Sequence, residues 1–187
     1  GSSISDTVCS LYSDAYVLAP VAGPPDDIRG GLGGYAHGCF WHFQLPRRFA
    51  NLLHITAWEF MAHALNVIVF SPFVAGQTSY WYADAISTVQ TMARFRTKSP
   101  AMQIIHELLI HMPEYLALGA RSFHAHVYGR VNVPADAASR NRGDIIARLC
   151  RQLGITPRRL YLPDRALTFL HNALQAISDA NLEEEEE

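Results

Sequence analysis

Thr7-Val-Cys-Ser-Leu-Tyr-Ser-Asp14 alternates apolar and polar side chains, the period-two pattern of a half-buried strand, and delivers an acid at its carboxyl end. Working outward, three more acids stand in comparable settings. Glu59 lies in the first turn of a predicted helix, Thr56 to Phe70, whose Phe60, Met61, Ala64, Leu65 and Ile68 keep near-helical spacing. Asp84 ends a short aromatic strand, Ser79-Tyr-Trp-Tyr-Ala-Asp84, just ahead of a helical segment predicted from Ala85 to Phe95. Asp136 opens a further helix, Pro134-Ala-Asp-Ala-Ala-Ser-Arg140, with Pro134 where a first helical residue tolerates it. In an α/β sheet, acids at strand ends and helix starts converge on one crevice.

Four carboxylates in one crevice repel one another unless hard divalent cations neutralise them. Two Mg²⁺ ions roughly 3.5–4 Å apart clamp a phosphodiester, one activating water and the other the leaving oxygen. Each acid also has a structural reading. Thr56 and Glu59 fit a capping box, Asp136 complements a helix dipole, and Asp14 and Asp84 read singly as strand-end turn residues.

The order of the acids and their flanking residues resemble a known family. Tyr12-Ser-Asp-Ala15, the run Gly30-Gly-Leu-Gly-Gly-Tyr-Ala36, the Glu59 helix, Tyr82-Ala-Asp84 and His126-Val-Tyr-Gly-Arg-Val-Asn-Val-Pro-Ala-Asp-Ala-Ala-Ser-Arg140 look like the ribonuclease H domain of retroelement reverse transcriptases. DIRS-type and gypsy-like groups resemble it most, over residues 7 to 142. The resemblance implies an α/β ribonuclease H-like fold, with a mixed five-stranded sheet flanked by helices. It further implies that Asp14, Glu59, Asp84 and Asp136 are the catalytic acids, holding two Mg²⁺ ions that Mn²⁺ can replace. The implied activity is hydrolysis of the RNA strand of RNA·DNA hybrids, beside the polymerase domain of a reverse transcriptase. The other reading is a non-catalytic, nucleic-acid-binding or scaffold module of a larger assembly.

The chain also departs from the family pattern. Ala85 stands where the family has Asn, Ala138 where it has Leu, and Tyr128 where it has Pro. A stretch from Tyr16 to Arg29 separates the first acid from the glycine run, where the family turns tightly.

His124 and His126 share one face of the predicted strand Ser122–Tyr128, and His126 reads as a site-edge residue, with assistance of product release as the family's alternative. Lacking further Cys or His ligands nearby, the pair makes a weak zinc motif. His106-Glu-Leu-Leu-Ile-His111 misses the metalloprotease pattern, because histidines five apart point to different helix faces.

At 187 residues and 49% hydrophobic content, the chain has enough apolar material for a sizeable core. The formal charge of −2 hides a basic body: leaving out Glu183 to Glu187 gives 15 basic against 12 acidic residues, a balance of +3. Arg94, Arg96 and Lys98 form one cluster and Arg130 to Arg159 another; with Arg130 and Arg140 nearest the acids, these suit phosphate contact. Ordinary solvated helix faces are the alternative.

Three cysteines, odd in number and far apart, argue against a disulfide framework and suit a reducing, intracellular setting, cytoplasmic or nuclear. By sequence no apolar run approaches a membrane span and no signal peptide is expected, so no membrane partner is expected. Residues 1–3 read as an expression scar, 4–142 as the catalytic domain, 143–182 as a helical C-terminal extension and 183–187 as an acidic tail. The start just before the first strand is read as excision from a polyprotein. Pro113 predicts a break in the apolar stretch Ala101–Leu118, Gly154 a stop for the helix Asp144–Leu153, and Pro163-Asp164 the start of a last helix running to about Ala180.

Overall fold

The computed structural model describes residues 8–180; the expected scar and acidic tail lie outside them. Strand β1 (Val8–Val17) pairs antiparallel with β2 (Ile28–Ala36), which turns at His37-Gly38 into antiparallel β3 (Cys39–Pro46). Both turn residues have positive φ, 47° and 86°, as a two-residue hairpin loop requires. A short helix α1 (Arg47–Ala50) leads into α2 (Ile55–Val74), and β4 (Thr78–Ala83) then returns parallel to β1. Helices α3 (Ile86–Arg94), α4 (Pro100–Ile110) and α5 (Pro113–Leu116) follow, with β5 (Ser122–His126) parallel to β4. The chain closes with α6 (Val133–Ser139), α7 (Gly143–Leu153), β6 (Arg158–Arg159) and α8 (Asp164–Asp179). The sheet order is β5-β4-β1-β2-β3-β6.

Alternation along the strands sorts the two faces. Cys9, Leu11 and Ala15 of β1 and Trp81 of β4 point into the main core with α2, while Tyr12, Asp14 and Tyr16 point to the opposite face. Helix α2 is buried almost all round, which accounts for the weak one-sidedness of its apolar residues. Over 20 residues it is long and apolar enough to cross a membrane, contrary to the expectation that no such run exists. Burial of 83% of its most apolar window within the fold accounts for that composition.

Several expectations need correction. The sheet has six strands, because residues 158–159 of the C-terminal segment pair with Cys39 and Phe40 at the edge. Strand β1 runs three residues past Asp14, so the acid projects from the strand instead of ending it. With β1 and β2 both longer than predicted, the Tyr16–Arg29 insertion shrinks to the loop 18–27. No capping box forms at Glu59: the N-cap is His54, whose ring accepts from the Thr56 N–H, and Thr56 is already helical. The C-terminal helices pack on the core, one of the two roles the sequence leaves open for them, the other being docking to the rest of a larger polyprotein. Ala166, Phe169, Leu170, Ala173, Leu174 and Ile177 of α8 enter the same core as α2 and α4.

Candidate active site

Asp14 leaves β1 directly opposite Gly33, and Ser13 beside it pairs with Ala83, so β1 and β4 carry Asp14 and Asp84 to the same end of the sheet. Glu59 stands past the first turn of α2, which begins at Ile55 and carries no acid in that turn, contrary to expectation; Asp136 lies in the first turn of α6, where the helix dipole favours an anion. Helix α6 lies flat on the sheet because β2 offers no side chains there: a Cβ at Gly31 or Gly33 would run into the backbone of Ala138 and Ser139. Asn132, just before α6, is 1% exposed, and its Nδ2 donates to the Ser13 carbonyl at 3.1 Å. Its own carbonyl accepts from the Asp136 N–H at 3.0 Å. Asn132 therefore joins the backbone that carries Asp14 to the turn that carries Asp136.

The electrostatics show that these acids sense one another. Burial pushes the Asp14 carboxyl up to about 7 against a hydrogen bond from the Ala15 N–H, and the charges of Asp136, Glu59 and Asp84 each add to the rise. Glu59 is likewise pushed up to about 7, by burial first and then by Asp84. Asp136 accepts from Arg140 Nε at 3.1 Å, while the same guanidinium lies 4.5 Å over the Tyr16 ring. The loop after β5 passes close to Asp84, and a Cβ on Gly129 would stand 3.1 Å from Asp84 Oδ2.

Among the described residues, no three Asp, Glu, His or Cys side chains are drawn close enough to hold a metal ion as they stand. The donor set itself, four hard carboxylates, is of the type that takes Mg²⁺ or Mn²⁺.

The remaining predicted residues fall in different places. His126 ends β5 opposite Ala83, next to the Asp84 turn, with its ring edge-on to Tyr128 at 5.1 Å. Arg130 is exposed on the loop beside Asp84. Arg140 is taken up by Asp136 and Tyr16, so it serves the acid more directly than it serves a ligand. Arg94, Arg96 and Lys98 form an exposed outlying patch at the α3–α4 connection. His106 is buried and His111 exposed, on different sides of α4 as the five-residue spacing requires.

Two buried histidines and a half-buried one form an imidazole cluster that no local sequence pattern announces. His63 Nε2 of α2 and His124 Nδ1 of β5 share a hydrogen bond of 2.7 Å. His106 of α4 is close enough to disfavour charge on His124. His63 Nδ1 and both ring nitrogens of His106 have no partner. Burial holds His63 well below the ordinary histidine value and His124 at about 4. The signal available was a histidine inside an apolar helix at position 63, meaningful only once β5 is placed beside α2.

A mixed sheet with the first three strands antiparallel, two parallel strands added at one edge and helices on both faces is a ribonuclease H-like fold. It is similar to ribonuclease H1 of the halophilic archaeon Halobacterium salinarum NRC-1, at 14% identity over 74% of this chain and 99% of that one, with a TM-score of 0.50. A second similar structure is the N-terminal ribonuclease H domain of rv2228c from Mycobacterium tuberculosis, solved as a fusion with maltose-binding protein, at 13% identity over 76% and 99% of the two chains, with a TM-score of 0.43. No protein-family model and no curated protein matches the chain.

Proposed function

We propose that this chain is a divalent-metal-dependent endonuclease that hydrolyses the RNA strand of RNA·DNA hybrids. Its setting is reverse transcription of a retroelement, beside a polymerase domain, in the cytoplasm or nucleus. The observation that carries the reading is the convergence of Asp14, Glu59, Asp84 and Asp136, expressed in the rise of the Asp14 carboxyl under the charges of the other three.

Asp14, Glu59, Asp84 and Asp136 would hold two Mg²⁺ or Mn²⁺ ions, which when bound supply charge neutralisation and an activated water. Near neutral pH Asp14 and Glu59 retain protons that cation binding must displace. Arg140 fixes the Asp136 carboxylate by its Nε and keeps the side chain seated against Tyr16. Asn132 holds the α6 turn to β1, and so sets the position of Asp136 relative to Asp14. Selection of the hybrid rests on duplex shape and on contacts to RNA 2′-hydroxyls.

A second reading, a non-catalytic nucleic-acid-binding module, draws on the carboxylates' standing too far apart to hold a cation unaided. End-labelled RNA·DNA hybrid, RNA·RNA and DNA·DNA duplexes, incubated with Mg²⁺ or Mn²⁺ and with either the unaltered chain or Asp84→Asn, separate the two. Cutting of only the hybrid's RNA strand, dependent on metal and lost in the variant, is the expected result. A folded chain that binds the hybrid without cutting it would establish the binding module instead.

A further inference from the structure

Helix α6 has two flanks. One faces Asp14; the other borders a groove of about 580 Å³ at the β3 edge, lined by Arg159, Asn141, His42, Arg48 and Asp26 among others. Asp14, Gly33 and His42 lie in one cross-strand row, so this groove begins roughly 10 Å from the carboxylates, two strand spacings away. The C-terminal segment builds it. Pairing of β6 with β3 places Arg159 over the Phe40 ring at 4.9 Å, and Arg159 Nη2 donates to Asn141 Oδ1 at 2.7 Å.

The charge distribution points to an anion. Arg48 is ion-paired with Asp26, whereas the partner of Arg159 is a neutral amide, so its positive charge is not cancelled within the groove. Asn141 has φ 56°, a left-handed conformation that seats its amide against Arg159. His42 adds no charge. Burial lowers its basicity, and its Nδ1 donates to the Ala138 carbonyl at 2.9 Å.

We propose that this groove seats the sugar–phosphate backbone of a nucleic acid on the flank of α6 opposite the carboxylates, with Arg159 as the principal phosphate contact. It rests on the nuclease reading for the identity of the duplex, and gives the C-terminal segment a part in substrate binding. An Arg fork held by a neutral amide and an aromatic face keeps its remaining donors oriented for a phosphate oxygen.

The test is the salt dependence of binding to a labelled RNA·DNA hybrid, followed by fluorescence anisotropy in an Asp84→Asn background so that the probe stays intact. Arg159→Ala should weaken binding several-fold at low salt and reduce the slope of log K against log[salt] by roughly 0.7–0.9, the share of one phosphate. Arg159→Lys should restore most of the slope. Arg165→Ala, which removes a charge already paired with Glu114, should leave it unchanged. A slope for Arg159→Ala equal to that of Arg165→Ala overturns the proposal. So does failure of Arg159→Lys to restore the slope, which would mark Arg159 as a packing residue. Cleavage reports separately. Hybrid cut by the Asp84 chain without a slope change in Arg159→Ala sinks only the groove, and a slope change without any cutting sinks only the nuclease reading.

Discussion

Asp14 is costly to the fold when ionised. Its folded carboxyl titrates at about 7, above the value of 3.8 it has when free, so the folded state binds the proton more tightly than the unfolded chain. The stability tied to that proton is complete below pH about 4 and is lost as pH rises through about 7. Asp14→Asn should therefore raise the melting temperature of the protein at pH 8, by a stability gain of up to about 4 kcal/mol, roughly three pKa units at about 1.4 kcal/mol each. That gain should fade toward pH 4, and thermal melts of the two proteins across this range check it. The same substitution should abolish hybrid cleavage, setting stability against function at one residue. Asn132 acts in the other sense. Asn132→Ala removes the hydrogen bond its side chain makes to β1 and leaves the buried Ser13 carbonyl without that donor, so a loss of roughly 1–3 kcal/mol is expected. Because Asp136 then loses its fixed place relative to Asp14, kcat should fall more than KM rises, a split that steady-state cleavage rates resolve.

Between elements, the contact of α2 and α4 with β5 contains three neutral imidazoles. His63, His106 and His124 are freely protonated in the unfolded chain and resist protonation in the fold, so stability present above pH about 6.5 is lost as pH falls toward the folded value of His124, about 4. His106 is 1% exposed, with Phe60 and Phe95 beside its ring and neither nitrogen bonded. Replacing it with Leu should stabilise the protein, and more at pH 5 than at pH 7.5; urea midpoints at the two values would show a larger shift at the lower one. These contacts mark where the sequence stops being legible. Alternation placed Tyr12 and Asp14 on one face of β1 because that pattern is local, whereas Glu59 falls past the first turn because the His54 cap starts α2 at Ile55, ahead of the expected Thr56. The meeting of His63 with His124, 61 residues apart, and of Asn132 with Ser13, 119 apart, depends on how elements distant in sequence pack together, which no local pattern encodes. Helix α2 hid its outward side for a related reason: a helix buried all round shows no one-sided stripe. The capping box failed because His54, one residue before the helix, supplied the N-terminal acceptor first.

At the scale of the molecule, the question is whether the acids and the sheet stand without the C-terminal helices, as a boundary after Arg142 would require. Helix α8 covers α2 and α4, with Leu170 and Ala173 fully buried and Phe169, Leu174 and Ile177 nearly so. Removing it exposes these side chains' partners on the two helices as well as losing the side chains themselves. At about 1.5–3 kcal/mol for each large apolar side chain buried, the four such residues of α8 contribute roughly 6–12 kcal/mol before the entropy of ordering the helix is set against it. A domain has only about 5–15 kcal/mol of net stability. Glu59 sits on the helix that α8 covers, so loosening it moves an acid of the candidate site as well. A chain ended at Arg142 should thus lack a cooperative thermal transition, expose apolar surface to a hydrophobic dye and show no hybrid cleavage. A chain ended at Ala180 should melt cooperatively. If the shorter chain instead melts sharply and retains the activity of the longer one, the C-terminal helices are an appendage, and the core formed by α2, α4 and the sheet is sufficient on its own.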